Sequence, residues 1–216
     1  MKSARHRLAA SLTALIIVLG AGQAHAEVLN YTVLRDGKPI GAHAVAIDQS
    51  GSETHVKIET DITVKVLFIN AYTFKHTSQE QWVDGRLMSI TSTTQDDGID
   101  KKLNVRTEDG RFTVDSTVKG QERRQHADAA TLPASLWNPA TVKQNALLNT
   151  LDGEVMDVVI DDLGAETVEV GGASLSARHY AINGELTREL WFDDAGRLVR
   201  MRFPDKTNAE IVYALN

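Results

Sequence analysis

The segment that decides the fold class is KIETDITVKVLFI, residues Lys57–Ile69. One face of an extended chain here would carry Ile58, Thr60, Ile62, Val64, Val66 and Phe68, and the other would carry Lys57, Glu59, Asp61, Thr63 and Lys65. Side chains that alternate with a period of two over such a length predict a long β-strand that is buried on one face. Leu67 and Ile69 break the alternation at its end.

Similar alternation recurs along the chain, between residues that favour tight turns. It is found at 112–118, 199–203 and 209–215. Pairs such as Asp36-Gly37 and Asp84-Gly85 separate the apolar runs and tolerate the positive φ of hairpin turns. We therefore predict an all-β, mainly antiparallel fold in which one large curved meander sheet forms a barrel or a half-barrel.

Residues 131–151 depart from the strand pattern. Two of the four prolines, Pro133 and Pro139, occur here, and Pro139-Ala140 fits a helix start followed by apolar residues at helical spacing. We predict a loop with one short helical insert, placed between two blocks of strands at 28–126 and 154–215. Neither block has enough helices or linkers to form a separate domain, so we predict one domain with an insert.

The N-terminus has the pattern of a secretory signal peptide. Lys2, Arg5 and Arg7 precede an apolar stretch from Leu8 to Leu19, and Ala24-His25-Ala26 has the small-x-small pattern of a cleavage site. The apolar stretch is shorter than the roughly 20 residues that a membrane-spanning helix needs. We predict cleavage after about Ala26, a periplasmic location and a single mature domain of residues 27–216 with no transmembrane anchor.

Composition narrows the classes of function. After removal of residues 1–26 the chain has 20 basic and 29 acidic side chains, a net charge of −9, which disfavours nucleic acid as a partner. The absence of cysteine excludes thiol catalysis and cysteine-ligated metals.

One predicted strand combines aromatic and polar side chains on the same face. If Tyr72, Phe74 and Trp82 face inward, then His76, Ser78 and Glu80 share that face. Such polar groups either anchor a ligand in a pocket or form hydrogen bonds with neighbouring strands. The ligand-binding hypothesis takes the following residues as its candidates: Tyr72, Phe74, His76, Glu80, Trp82, Trp137 and Trp191.

Motifs of catalysis and metal binding are missing. The sequence has no Gly-x-Ser-x-Gly elbow, no HExxH and no glycine-rich phosphate loop. His43, His76 and His179 lack the spacing of a metal site, so we predict neither a metal nor a cofactor. The enzymatic alternative uses His76 and Glu80 as acid and base, although four residues along a strand separate them by roughly 13 Å.

Two hairpin segments resemble each other. Trp82-Val83-Asp84-Gly85-Arg86-Leu87 is similar to Trp191–Leu198, where two further residues lie in the turn. Independent use of the same hairpin chemistry is one explanation, and two related halves of a sheet are the other.

Three stretches resemble an uncharacterised family of exported proteobacterial proteins, known as a domain of unknown function. They are Tyr31–Gly41, Trp137-Asn138-Pro139 and Leu190–Leu198. The resemblance covers nearly the whole mature chain and implies no activity. More remotely, a meander with a helical insert is similar to the periplasmic lipoprotein carriers, in which a half-barrel with a helical lid holds acyl chains.

We therefore expect a non-catalytic periplasmic protein. Its partner would be an apolar, amphipathic or lipid-like small molecule held in the curved sheet under the 131–151 insert, or else a protein of the cell envelope.

Overall fold

The computed structural model describes residues 25–216, almost entirely as β-strands. The predicted signal peptide lies outside the described residues, except for His25 and Ala26 at the start of the first strand. Among residues 25–216 no helix has the length and apolar composition of a membrane span. The strands are β1 His25–Arg35, β2 Lys38–Ser50, β3 Glu53–Val66, β4 Ile69–Val83, β5 Arg86–Asp96, β6 Ile99–Glu108, β7 Arg111–Val118, β8 Gln121–Asp128, β9 Leu132–Pro133, β10 Ala146–Leu148, β11 Val155–Val170, β12 Ala173–Gly184, β13 Arg188–Phe192, β14 Leu198–Pro204 and β15 Glu210–Leu215.

All fifteen strands form one sheet, in the order β8-β7-β6-β5-β4-β3-β2-β1-β15-β14-β13-β12-β11-β10-β9. Neighbours are antiparallel except β9 and β10, which are parallel. The first strand pairs with the last, so that the two blocks of strands join at the centre of the sheet. The predicted all-β, mainly antiparallel fold is confirmed, and the sheet is open, with β8 and β9 at its edges.

Tight turns connect the strands of the first block. Asp36-Gly37, Asp84-Gly85, Asp97-Gly98 and Asp109-Gly110 have positive φ at both residues, as two-residue hairpins of a right-twisted sheet require. Asp and Gly tolerate this conformation better than other residues, which is why these turns were recognisable in the sequence.

The β3–β4 turn corrects the prediction for Lys57–Ile69. The predicted strand continues to Ile69 with Phe68 buried, but β3 ends at Val66, and Leu67 and Phe68 form the turn. Leu67 has φ +57° and Phe68 is fully exposed. The turn contains no Gly, Asn or Asp, so no residue of the usual turn chemistry indicates that the chain reverses direction here.

One face of the sheet is covered by apolar side chains from both blocks. The main core includes Tyr31, Val33, Ile90 and Phe112, each at most 1% exposed. A small second core on the opposite face consists of Val168, Ala177, Trp191 and Val199. The main core defines the concave face, where the two blocks of strands meet.

Residues 131–151 contain the predicted loop and one short helix. A 3₁₀ helix spans Pro139–Lys143, and the side chain of Asn138 caps it by accepting a hydrogen bond from the Ala140 amide at 2.9 Å. Short strands β9 and β10 flank the helix and extend the sheet at its edge. The segment after β10 returns to the first block, where the Ser92 hydroxyl donates to the Thr150 carbonyl at 2.6 Å.

Candidate functional site

A cavity of about 210 Å³ lies on the concave face, between β1–β4 on one side and β13–β15 on the other. Two parts of the insert, Ala134–Leu136 and Asn149–Leu151, contribute to its wall, whereas the 3₁₀ helix does not. Its lining is mostly apolar and aromatic: Tyr31, His43, Ile58, Thr60, Phe74, His76, Ala134, Ser135, Leu136, Asn149, Thr150, Leu151, Met156, Leu186, Arg188, Leu198, Met201, Phe203 and Tyr213.

A row of four polar side chains runs along one side of the cavity, and three of them, His43, Thr60 and His76, line its wall. The strand register places His43, Thr60, His76 and Thr94 opposite one another on β2, β3, β4 and β5. His43 Nδ1 lies 2.8 Å from Thr60 Oγ1, and His76 Nδ1 lies 2.8 Å from Thr94 Oγ1. Nδ1 of each imidazole therefore has a hydroxyl partner on the next strand.

Both imidazoles are neutral at neutral pH. Burial lowers the pKa of His43 to about 4, with a smaller contribution from the neighbouring His76. Burial alone lowers the pKa of His76 to about 4. A group that stays uncharged in an apolar wall has a low desolvation cost. The two histidines thus serve as neutral hydrogen-bonding groups on this side of the cavity.

The opposite wall carries a cation. The Arg188 guanidinium carbon lies 3.7 Å from the centre of the Phe203 ring, and Arg188 Nη1 donates to the Thr187 carbonyl at 2.7 Å. Burial lowers the pKa of Arg188 to about 10, so the side chain remains protonated at neutral pH. Burial raises the pKa of the neighbouring Tyr213 to about 12, so that phenol stays neutral.

Glu80 fixes the insert to the sheet beside the cavity. Its Oε2 accepts hydrogen bonds from Trp82 Nε1 at 3.0 Å and from Trp137 Nε1 at 2.9 Å. Burial raises the pKa of Glu80, and hydrogen bonds from Trp137, Ser135 and Trp82 partly offset that effect. The contact from Ser135 is poorly formed, because Glu80 Oε1 and Ser135 Oγ are both buried without a hydrogen bond of acceptable geometry in the described part of the chain.

The seven candidates from the sequence fall into four places. Phe74 and His76 line the cavity. Glu80, Trp82 and Trp137 form the contact between insert and sheet. The hydroxyl of Tyr72, outside the lining, donates to Asp96 Oδ1 at 2.9 Å. Ser78, although not a candidate, is fully buried on the predicted inner face.

Trp191 lies away from the cavity, on the opposite face of the sheet. Its ring stacks on His179 with centroids 4.0 Å apart, and its Nε1 donates to Glu166 Oε2 at 2.9 Å. Leu190 and Phe192 on either side of Trp191 belong to the main core. Trp82 faces the concave side, so the two similar hairpins direct their indoles to opposite faces.

His76 and Glu80, the pair of the enzymatic alternative, have separate partners. Thr94 holds His76, and the two indoles hold Glu80. The structure does not bring the two side chains into contact.

A second depression, of about 640 Å³, lies across β5–β8. It is larger than the concave cavity, but its lining consists mainly of Thr, Ser, Lys, Arg, Asp and Glu side chains. The concave cavity is the stronger candidate, because ligand pockets combine apolar walls with a few polar groups.

Sequence reasoning missed Arg188, although a signal was present. Leu186, Arg188 and Leu190 alternate with Thr187 and Glu189, which places a cation on an apolar face. The contribution of Tyr31, Met201 and Phe203 to one cavity had no local signal, because these residues come together only when β1 pairs with β15.

Comparison with known proteins gives a family and a fold. The family model described as "Domain of unknown function (DUF6134)" matches residues 31–216. A crystal structure described as a β-barrel-like protein of domain of unknown function DUF1849, from Brucella abortus, is similar to this chain with a TM-score of 0.61 and 11% sequence identity. The similarity covers 89% of this chain and 95% of that one, and it shows a common fold. No curated protein matches the chain.

Proposed function

We propose that this chain, which belongs to the DUF6134 family of domains of unknown function, binds a small apolar or amphipathic molecule in the concave cavity. The observation that carries the proposal is the cavity itself, an open pocket of about 210 Å³ that both blocks of strands and the insert line, mostly with apolar and aromatic side chains. Pockets for drug-sized molecules measure roughly 300–1,000 Å³. We therefore expect a smaller molecule, or a single chain of a larger one.

The contacts of the insert support this proposal. Trp137 is tied to Glu80 of β4, and the Ala134 amide donates to the Leu148 carbonyl at 2.8 Å. Ala134 and Leu136 thereby form a wall with fixed backbone positions. A preformed wall lowers the entropic cost of binding.

Binding would take place outside the cytoplasm. We propose a periplasmic location because residues 1–26 have the three-part pattern of a signal peptide. Cleavage after Ala26 would leave Glu27, which pairs with Ile47 of β2, at the start of β1. The mass of the protein from a periplasmic fraction tests export and cleavage. A mass that corresponds to a chain beginning near Glu27 supports the periplasmic location, and an uncleaved chain in the cytoplasm contradicts it.

Native mass spectrometry of the protein purified from its host, followed by organic extraction, tests the binding. We expect a bound molecule that organic solvent releases. Ala134→Phe, which fills the cavity, should abolish the bound mass, and Ala130→Phe at an exposed position should leave it unchanged. A protein without added mass, whose thermal stability no lipid extract raises, would contradict the proposal.

A second candidate function is contact with a protein of the envelope, and the β3–β4 turn favours it. Leu67, Phe68 and Ile69 are 88%, 101% and 71% exposed, and adjacent exposed apolar side chains are typical of interaction sites. The net charge of −9 for residues 27–216 disfavours an anionic lipid surface as the partner. A photo-crosslinker at Phe68 should give one protein adduct in intact cells, and the same group at exposed Val159 should not. Equal labelling at both positions would argue against this contact.

A further inference from the structure

The environment of Arg188 differs from that of the other arginines. Seven of the eleven arginines in the described part of the chain lie within 4.0 Å of a carboxylate oxygen: Arg35, Arg106, Arg123, Arg124, Arg178, Arg197 and Arg202. Arg86 and Arg111 are exposed, and Arg200 lies against Trp191 on the opposite face. Arg188 alone among the described arginines faces the cavity, and it has no carboxylate partner there.

Nothing else in the lining balances this charge. Of the described residues that line the cavity, Arg188 is the only side chain that is charged at neutral pH. Phe203 offers the face of its ring to the guanidinium, which gives a modest stabilisation. The Thr187 carbonyl accepts one of its five N–H groups. A cation held in an apolar wall with so few partners carries a desolvation cost that an anion would offset.

We propose that Arg188 makes the cavity selective for an anionic amphipathic molecule, an aliphatic monocarboxylate. The carboxylate would pair with the guanidinium, and the apolar part would lie among Ile58, Phe74 and Met201. This inference rests on the proposed function and specifies the class of ligand.

We propose a ligand with a single negative charge because the cavity wall carries a single cation, Arg188. A carboxylate neutralises one guanidinium and matches its planar pair of N–H donors. A doubly charged phosphate would leave an excess negative charge in a wall whose other polar groups are neutral. The Thr60 hydroxyl and Nδ1 of both His43 and His76 already have hydrogen-bond partners within the sheet, and neither neutral imidazole carries a positive charge that would balance a second negative one.

The experiment compares octanoate with octan-1-ol by isothermal titration calorimetry at pH 7.5 on the intact mature protein. These probes have the same chain and differ in charge. We expect octanoate to bind wild type at least about tenfold more tightly than octan-1-ol. Arg188→Met should reduce octanoate binding about tenfold and leave octan-1-ol binding nearly unchanged. Arg188→Lys should retain part of the preference.

Arg178→Met is the matched control, because Arg178 is exposed, is ion-paired with Asp162 and does not line the cavity. It should not change binding of either probe. In the ligand-free protein, Arg188→Met should raise the melting temperature, because it removes an unpaired charge. If Arg188 serves only for packing, Arg188→Met should instead lower the melting temperature.

The outcomes separate this inference from the proposed function. If both probes bind wild type with equal affinity, the cavity binds apolar chains and the role of Arg188 is wrong. If octanoate binds equally well to Arg188→Met, the inference is likewise wrong. If neither probe binds to wild type, both the proposed function and the inference fail. The comparison of octanoate with octan-1-ol on the wild-type protein tests the preference for an anion even if Arg188→Met does not fold.

Discussion

Trp82 and Trp137 donate their indole N–H groups to the same oxygen of Glu80, and their rings meet edge to face with centroids 5.7 Å apart. Trp82 and Glu80 belong to β4, whereas Trp137 belongs to the insert. Two donors and an aromatic contact thus join segments that are more than fifty residues apart in the chain. This contact holds the segment that forms part of the cavity wall.

The first prediction concerns the strength of this contact. In a double-mutant cycle of Trp137→Phe and Glu80→Met, we expect a coupling free energy of about 1–2 kcal/mol, because the Trp137 indole donates a hydrogen bond to a buried carboxyl oxygen. Urea unfolding of the four proteins measures it. The same cycle with Trp191→Phe, on the opposite face, should give a coupling below about 0.5 kcal/mol. Equal coupling in both cycles would show that Trp137 does not act through Glu80.

The second prediction concerns pH and Glu80. Burial raises the pKa of Glu80 above its ordinary value of 4.5, so the unfolded chain loses this proton at lower pH than the folded chain. The contribution of Glu80 to stability is therefore present below about pH 4.5 and falls as pH rises towards the pKa of the folded state. Glu80→Gln should remove this fall. The free energies of unfolding of both proteins between pH 4.5 and 8 measure it, and parallel pH profiles would count against the prediction.

The third prediction concerns pH and His76, whose contribution to stability changes with pH in the opposite direction to that of Glu80. The pKa of His76 is lowered to about 4 from 6.5, so the unfolded chain binds a proton at higher pH than the folded chain. Stability from this group is fully present above about pH 6.5 and is lost as pH falls towards 4. Between pH 7.5 and pH 5 the loss amounts to roughly 2 kcal/mol.

Glutamine at position 76 tests that loss, since it keeps a polar side chain but cannot titrate in this range. His76→Gln should lose roughly 2 kcal/mol less than wild type between the two pH values. His43→Gln should behave alike, because the pKa of His43 is also lowered to about 4. Variants that lose as much stability as wild type would show that these imidazoles are not the groups responsible.

The fourth prediction concerns the loop that closes against β6 and β7. A Cβ on Gly153 would overlap Val114 Cγ1 and lie 2.8 Å from Leu103 Cδ1. Gly120 has the same φ of +77° but no atom within 4 Å of such a Cβ. Gly153→Ala and Gly120→Ala both introduce backbone strain of about 1 kcal/mol, and only the first adds overpacking, of about 1–3 kcal/mol. Chemical denaturation should show this difference, and equal losses would mean that the loop moves away without cost.

The fifth prediction concerns the apolar turn. Leu67 has φ +57° and is 88% exposed, so its side chain adds strain and little packing. Leu67→Gly should stabilise the protein by up to about 1 kcal/mol. Phe68→Gly provides the control, because Phe68 is equally exposed but lacks a positive φ, and it should not stabilise. A loss of stability in Leu67→Gly would show that the leucine makes contacts that matter for folding.

Several features of the candidate site were predictable because they depend on local periodicity. A strand from Tyr72 to Trp82 must place His76, Ser78 and Glu80 on one face, and all three are buried there. Trp191 was assigned to the site without such a constraint. Leu190, Trp191 and Phe192 are three consecutive apolar residues, so their sequence has no alternation to indicate which of them faces the cavity.

The sequence by itself determined the strands, most of the turns and the inner face of β4, because alternation and turn chemistry act between residues that are close in the chain. Only the tertiary structure decided that Trp137 meets Glu80, that Arg188 faces Phe203 beside the two histidines, and that a cavity lies between them. These contacts form after β1 pairs with β15 and the insert folds back. They depend on how distant surfaces pack, and no short stretch of sequence contains that information.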